Sequence, residues 1–517
     1  MRLSHTGFSV GFCAALYVTC NALNIGRLAQ WFRAGQDLDF LALAAYLLAG
    51  LCLFICVFTL LAHRYTIKPF AILLTILSAA ATYFISKYGV AIDSSMVLNT
   101  VHTDPTEVGQ LLTLQMIPYA LLLIAVPAVL IYRADIEFAP GGRYLLGSLK
   151  LFGIALLLAL ASLYAEYTAI YRAGNTSNKY IVYTLVPINV ISGSINATTK
   201  SLRPYFRKDQ RKIDISARVA TPDDLVVVLA VGEASRRKNF SLYGYERRDT
   251  NPVLRKVEGL HLLDGIATRA STLYALPKIL EKNDVKLTTI VSRAGIPTAC
   301  YVNYTLYDNC SLPGETKVGP CGHGGKCYDE DVLPLLKNDL SSYKSGYRFI
   351  VLHLGGGSHG PMYADRHPPE FLQFKPMCTD ADVANKCSQE QIYNSYDNTI
   401  LYVDHVLGQT IQTLDQSGVR YVLIYMSDHG ESLGEGGVLF HGMPPGMALP
   451  AEQAQIPLIV KSSLPVSIVE RAEYQQPDVF DTVLDLFTIQ AAGFDHAGSF
   501  VKKSIDGGVA NAARTSN

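Results

Sequence analysis

Asp428 and His429 directly follow an apolar run at residues 421–426, and both side chains can bind a metal ion. A continuous apolar run of strand-forming residues predicts a strand that is buried on both faces. In parallel sheets, ligands bind beyond the carboxyl ends of such strands. Taken alone, the pair predicts either a cation site or a capped turn, so the rest of the chain must distinguish the two.

Two more apolar runs, at 225–231 and 349–354, also end in polar residues. Glu233 follows the first run, and a glycine-rich segment follows the second. Three such ends indicate a single site at one edge of a sheet. Glu233, Asp428 and His429 together offer carboxylate oxygens and an imidazole, a mixture that suits zinc best and manganese next.

A hydroxyl bound to such a cation loses its proton more easily, so the site is expected to include a Ser or Thr. Ser271 and Thr272 stand at the start of a helical pattern that runs through Leu280. Free backbone N–H groups at a helix start can hold phosphate oxygens. The ordinary alternative is that one of the two hydroxyls merely caps the helix.

The elements that must position these residues fall into two parts. From about residue 223, short apolar runs alternate with stretches of helical length, which predicts an α/β domain with a mostly parallel sheet. Before about residue 170, five apolar blocks are each long enough, or nearly so, to cross a membrane as a helix. These blocks lie at 8–25, 39–61, 69–88, 114–132 and 149–170.

Charges in the short loops predict the orientation of these spans. The loop at 91–113 contains no Lys or Arg, which places it on the outer side and the N-terminus inside. Because the number of spans is odd and the N-terminus is inside, the chain after about Arg172 is predicted to lie outside. Arg27 and Arg33, in the loop between the first two spans, oppose this assignment.

The predicted domains are a five-helix transmembrane domain at 1–172, an interfacial linker at 173–222, an outer α/β domain at 223–497 and a disordered tail at 498–517. The linker contains an apolar stretch at 180–195, which is expected at the membrane interface. A basic stretch follows, and it lies either on anionic lipid headgroups or in solvent as a linker. Its residues are Arg203, Arg207, Lys208, Arg211 and Lys212.

Six of the ten cysteines fall in the part of the chain placed outside, in three close pairs. In an oxidising compartment this pattern predicts three disulfides. The simplest pairing is Cys300 with Cys310, Cys321 with Cys327, and Cys378 with Cys387. The alternative is a zinc site of Cys321, His323 and Cys327, whose spacing fits no common zinc template.

The chain has 44 basic and 44 acidic residues, which argues against a nucleic-acid partner. Its motifs resemble those of the phosphoethanolamine transferases of Gram-negative inner membranes, a family that includes lipid A modifying enzymes and the mobile colistin-resistance enzymes. The resemblance covers nearly the whole chain. It rests on the sequences GE at 232–233, NFSLYGY at 239–245, GSHGP at 357–361, YDNT at 396–399, SDHGESLGE at 427–435 and HG at 441–442.

The resemblance implies an inner-membrane protein with a periplasmic domain of alkaline phosphatase and sulfatase type. It implies a zinc ion held by Glu233, the nucleophile, Asp428 and His429. The nucleophile would take phosphoethanolamine from phosphatidylethanolamine and pass it to lipid A or a core sugar, which is covalent catalysis. Further residues match family positions that bind the transferred group, a second zinc or the lipid headgroup: His359, His441, Asn99, Thr103 and Glu107.

The nucleophile segment departs from the lipid A enzymes, many of which carry Ser-Cys-Gly-Thr there. Thr268-Arg269-Ala270-Ser271-Thr272 looks instead like the Ser-Arg-x-x-Thr version of core-modifying relatives and selects Thr272. A gap-free match to the other version selects Ser271. The acceptor therefore stays open between lipid A and the core, as does any role in polymyxin resistance.

Alternative functions are transfer to another periplasmic glycan and hydrolysis by a membrane-anchored phosphatase or sulfatase. A sulfatase needs Cys or Ser in a Cys/Ser-x-Pro-x-Arg context, which Thr272-Leu273-Tyr274 does not provide. A lipoteichoic-acid-type polymerase usually lacks disulfides, so the six outer cysteines argue against it. A non-catalytic sensor would lack at least one of the metal-binding residues, and none is missing here. The sequence therefore predicts a zinc-dependent phosphoethanolamine transferase. Its predicted donor is the membrane lipid phosphatidylethanolamine, and the protein is predicted to be a monomer.

Overall fold

The computed structural model describes residues 2–34, 37–102, 114, 116–177, 180–206, 216–303, 316–318, 327–355, 367–380, 382–443 and 447–503. Contacts divide the chain into two units. The helical unit comprises Met1–Lys208 with the short segments Asp380–Lys386 and Gly434–Ala448. The α/β unit comprises Asp209–Thr379, Cys387–Leu433 and Leu449–Asn517.

Within the described residues, four helices are long and apolar enough to cross a membrane: Phe40–Leu61, Ile67–Tyr88, Met116–Arg133 and Gly142–Ala165. A fifth span is obtained if His5–Ala22 and Ile25–Phe32, which meet at 74°, are counted as one. Each of the five predicted blocks overlaps one of these helices, so the prediction of a five-span helical domain is confirmed.

The remaining helices of the helical unit are Ser94–His102, Tyr167–Thr176, Tyr180–Thr184, Ile188–Phe206 and the short Val383–Lys386. Its short strands are Arg2–Ser4, Arg33–Ala34, Asp37–Leu38, Asp135–Glu137 and Leu439–Phe440. Local residues set where helices begin and end. Asp39 caps Phe40–Leu61 by accepting from the Ala42 N–H, and Gly89 ends Ile67–Tyr88 with a φ of +70°.

Among the described residues of the α/β unit, eight strands form the central sheet and are labelled here in chain order. They are β1 Leu225–Gly232, β2 Leu260–Ile266, β3 Thr298–Val302, β4 Thr316–Val318, β5 Tyr347–Leu354, β6 Tyr421–Ser427, β7 Gln455–Ser462 and β8 Tyr474–Gln475. Their order across the sheet is β4-β3-β5-β1-β6-β7-β2-β8. Neighbours run parallel except β7, which is antiparallel to β6 and β2. The prediction of a mostly parallel sheet is confirmed.

The helices of the α/β unit are Thr272–Leu280, Leu287–Arg293, Leu333–Ser342, Gln389–Ser417, Ala451–Ala454 and Gln476–Leu486. Its shorter strands are Ala217–Val219, Glu281–Lys282, Val285–Lys286, Ser432–Leu433, Val466–Ile468, Ile489–Ala491 and Val501–Lys503. Every residue of β1 and β6 is buried, which explains why both runs are continuously apolar.

The register of the sheet brings the three predicted strand ends together. Gly232, the last residue of β1, pairs with Leu354 of β5 and with Ser427 of β6. Because these strands are parallel and end at the same level, the segments that follow them begin at one edge of the sheet.

The structure differs from the prediction at two domain boundaries. Helix Ile188–Phe206, assigned to the linker at 173–222, clusters with the helical unit. The predicted disorder of the tail from 498 is wrong up to residue 503, because Val501–Lys503 form a strand and both Phe500 and Val501 are fully buried. The prediction was based on the small and polar residues that dominate the tail, and it gave no weight to Phe500 and Val501 at its start. Residues 504–517 lie outside the described residues.

The structure contains the predicted disulfide between Cys378 and Cys387, whose sequence separation is 9. We expect the double variant Cys378→Ser and Cys387→Ser to unfold at a temperature roughly 5 °C lower, because a loop this short removes about 2.6 kcal/mol of unfolded-state entropy. Thermal unfolding of the full chain measures this change. An unaltered midpoint would show that the disulfide adds no stability.

Candidate active site

The segment after β1 makes a tight turn that carries Glu233. Ala234 has a φ of +50°, a left-handed conformation that is uncommon for a residue with a side chain. Its N–H donates to Asp428 Oδ1 at 3.1 Å, and the Asp428 N–H donates to the Gly232 carbonyl at 2.9 Å. These bonds join the ends of β1 and β6, so Glu233 and Asp428 are held at fixed positions relative to each other.

The His429 ring is oriented by its own backbone. Nδ1 donates to the Gly430 carbonyl at 2.9 Å, which leaves the lone pair of the neutral ring on Nε2. Nε2 lies 3.2 Å from Glu233 Oε1 and 3.4 Å from Asp428 Oδ2. Three side chains of metal-binding type therefore converge from two strand ends.

Burial makes the charges of this cluster costly. Glu233 is 3% exposed, and Asp428 and His429 are fully buried. Burial, and then the neighbouring Glu233 charge, raises the pKa of Asp428 to about 7. Burial acts to lower the pKa of His429, but Asp428 and Glu233 outweigh it and raise that pKa to about 10. Both shifts have the sign expected where buried carboxylates lack sufficient positive charge.

Thr272 lies beside this cluster. It is the first residue of helix Thr272–Leu280, and Ser271 precedes it as the N-cap residue. The Thr272 hydroxyl lies 2.9 Å from Glu233 Oε1 and 3.0 Å from Oε2. Of the two candidate hydroxyls, that of Thr272 contacts Glu233, while Ser271 is buried at the helix start.

The cluster fits a divalent metal ion. Asp428 Oδ2 is buried and accepts no hydrogen bond from any residue that the structure describes. Glu233 and His429 could each offer one ligand atom, since His429 Nε2 lies 3.2 Å from Glu233 Oε1. Oxygen and imidazole donors in such numbers are typical of zinc sites.

Two buried residues to which the sequence analysis gave no role in the site, Tyr396 and Gln476, hold it in place. The Tyr396 hydroxyl accepts from the Arg236 N–H and donates to the Ala234 carbonyl, both at 2.8 Å. Gln476 donates to the Asp428 carbonyl at 2.5 Å and accepts from the Thr268 N–H at 3.1 Å. The YDNT sequence contained a clue to Tyr396, whereas no local pattern marks Gln476.

Asp397 follows Tyr396 in the YDNT sequence, and its buried carboxylate binds side chains of the segment at 239–247. It accepts from Asn239 at 2.6 Å, Tyr245 at 3.0 Å and Arg247 at 2.6 Å. Its side chain is fully buried, whereas Arg247 is 29% exposed. This carboxylate therefore connects the NFSLYGY and YDNT sequences.

We expect Asp397→Ala to lower the free energy of unfolding by about 3 kcal/mol or more, because it leaves a partly buried arginine and two neutral donors without their acceptor. Chemical denaturation of the full chain measures the change. Gln412→Ala, an exposed position on the same helix, is the matched control and should stay near the wild type. Equal stabilities for the two variants would contradict the structural role of Asp397.

Several other predicted residues lie outside the described residues: His359, Thr103, Glu107, Cys310 and Cys321. Asn99 is part of helix Ser94–His102. Cys300 and Cys327 are disulfide-bonded. Arg203 belongs to helix Ile188–Phe206, and the rest of the basic stretch lies outside the described residues.

The two units match two known families. Residues 50–202 match the family of phosphoethanolamine transferases EptA/EptB, and residues 226–489 match the sulfatase family. The integral membrane lipooligosaccharide phosphoethanolamine transferase EptA of Neisseria meningitidis has the same fold. Its TM-score is 0.80 at 23% identity, over 96% of this chain and 97% of that chain. The predicted multi-pass inner-membrane protein with a periplasmic α/β domain is confirmed.

Curated relatives match over most of their length. Phosphoethanolamine transferase EptA of Salmonella typhimurium is 31% identical over 491 residues, which cover 86% of this chain and 87% of the relative. Phosphatidylethanolamine transferase Mcr-1 of Escherichia coli is 28% identical over 531 residues, which cover 94% and 95%. With its membrane helices, sulfatase-type sheet and this identity to EptA, the chain belongs to the phosphoethanolamine transferase family.

Proposed function

We propose that this protein transfers phosphoethanolamine from phosphatidylethanolamine to a lipopolysaccharide acceptor, either lipid A or a core sugar, through a covalent intermediate on Thr272. Family membership supports the group that is transferred. The observation that carries the mechanism is the Thr272 hydroxyl at 2.9 Å and 3.0 Å from the Glu233 carboxylate, at the start of a helix.

In the first half-reaction, Thr272 Oγ1 attacks the phosphorus of phosphatidylethanolamine. The bond from phosphorus to the glycerol oxygen breaks, and diacylglycerol leaves after that oxygen takes up a proton. Thr272 gives up its hydroxyl proton, for which Glu233 offers an acceptor. Backbone N–H groups at the start of helix Thr272–Leu280 would stabilise the phosphate oxygens as these gain charge.

The proposed cofactor is zinc, held by Glu233, Asp428, His429 and Thr272. Once bound, zinc would lower the pKa of a neighbouring hydroxyl and stabilise phosphate charge. The chain itself contributes the orientation of the ligands. The Gly430 carbonyl fixes the His429 ring, and the Ala234 and His429 N–H groups hold Asp428 Oδ1 at 3.1 Å and 2.8 Å.

In the second half-reaction, an acceptor oxygen attacks the phosphorus, the bond from Thr272 Oγ1 to phosphorus breaks, and the hydroxyl takes back a proton. His359 and His441 are proposed to bind the phosphoethanolamine group. Asn99, Thr103 and Glu107 are proposed to lie near the lipid headgroup. These five roles rest on the sequence resemblance, in which each residue matches a family position.

Mass spectrometry of lipid A and core oligosaccharide, from cells with and without the protein, tests the proposal. We expect one fraction to gain phosphoethanolamine only when the protein is present. That fraction identifies the acceptor. Diacylglycerol release without any modified acceptor would instead favour a hydrolase.

A further inference from the structure

Arg27 is one of the two arginines whose charges opposed the predicted membrane orientation, and the structure shows what it contacts. It lies in the short helix Ile25–Ala29 of the helical unit. Nη1 donates to the Gly437 carbonyl and Nη2 donates to the Ser86 carbonyl, each at 3.4 Å. Gly437 belongs to the segment Gly434–Ala448, which is part of the same unit. Arg27 thus joins this segment to the end of helix Ile67–Tyr88.

A close backbone approach at Gly89 supports the same attachment. Gly89 ends helix Ile67–Tyr88 with a φ of +70°. A Cβ atom there would lie 2.8 Å from the Gly437 carbonyl oxygen and 2.7 Å from Arg27 Nη1. Only glycine therefore fits both the conformation and the space.

The same segment carries His441, and both of its chain neighbours pack on the helical unit. The Phe440 ring lies 5.3 Å from the Tyr88 ring, measured between centroids. A Cβ on Gly442 would lie 2.9 Å from Met96 Sδ. Phe440 and Gly442 have φ values of +66° and +112°, so the backbone on each side of His441 is held in a left-handed conformation. For Phe440 that conformation is strained and requires such support.

We propose that Arg27 is a positioning residue, which fixes residues 434–443 so that His441 can bind the phosphoethanolamine group. This inference rests on the proposed function for the role of His441. The planar guanidinium suits the task, because it donates to two carbonyl groups in a fixed geometry, whereas lysine offers one flexible ammonium. The hydrogen bonds to these two carbonyl groups explain why an arginine is present in a loop that is predicted to lie on the outer side of the membrane.

Hydrogen exchange of the full-length protein in lipid nanodiscs tests the attachment. In Arg27→Ala, amide exchange of residues 434–443 should accelerate about tenfold, since the segment opens locally more often. Arg33→Ala is the matched control, an exposed arginine nearby in the chain, and should leave this exchange unchanged. Equal protection in Arg27→Ala and the wild type would overturn the proposal.

A double-mutant cycle tests the functional link. Arg27→Ala should lower kcat/KM for phosphatidylethanolamine about tenfold, as a displaced binding group does. Arg27→Lys should recover part of the loss, and Arg33→Ala should show none. In a His441→Ala background, Arg27→Ala should cause no further loss, because both changes remove the same contact.

Additive losses would overturn the positioning role, since Arg27 would then act independently of His441. Full activity of His441→Ala would overturn it as well, but would leave phosphoethanolamine transfer intact. Failure of the proposed function itself is recognised separately, by an absence of phosphoethanolamine transfer in the wild type.

Discussion

Thr272→Ala is expected to abolish the release of diacylglycerol from phosphatidylethanolamine, with a loss of roughly 10³-fold or more, because covalent catalysis cannot proceed without its nucleophile. Thr272→Ser keeps a hydroxyl at the same place and should retain part of the activity. Release of a fluorescent diacylglycerol by the purified full-length protein measures both. Intact-protein mass spectrometry should show the added phosphoethanolamine on the wild type and not on Thr272→Ala.

Ser271→Ala is the matched control for this experiment. Its hydroxyl is adjacent in sequence but makes no capping hydrogen bond to the helix, so its loss should leave activity near the wild type. If Thr272→Ala were fully active and Ser271→Ala inactive, the nucleophile would be Ser271 and not Thr272. Activity in both variants would refute a covalent intermediate at this helix start.

Asp428→Asn is expected to lose bound metal and activity together. Asparagine has nearly the same shape but lacks the charge, and Oδ2 of the native carboxylate is the atom that accepts no hydrogen bond among the described residues. We expect metal occupancy at a fixed zinc concentration to fall about tenfold or more. Inductively coupled plasma mass spectrometry of the purified protein measures it independently of activity.

Asp404→Asn provides a control matched in burial and bonding. Asp404 is fully buried and accepts from the Val253 and Leu254 N–H groups at 2.8 Å and 2.9 Å. This variant should keep its metal even if it is less stable. An unchanged occupancy in Asp428→Asn would remove Asp428 from the ligand set, whereas equal losses in both variants would point to general destabilisation.

A large part of the architecture follows from local sequence. The runs at 225–231, 349–354 and 421–426 predicted strands that the structure extends by at most two residues at an end. Strands buried on both faces must be apolar throughout, so their signal is strong and local. The membrane spans were equally evident, because a helix that crosses lipid needs a long apolar run.

The tertiary structure decided which of the candidate residues meet. Thr272 approaches Glu233 across 39 positions of sequence, and Asp428 receives the Ala234 N–H across 194. These contacts depend on sheet register and on where each turn directs its side chains, which no local propensity encodes. The same holds for Gln476 and for Arg27, whose charge looked misplaced until the carbonyl groups it contacts were known. The sequence by itself determined the fold class and the chemical types at the strand ends, whereas the folded chain alone determined their distances and their supports.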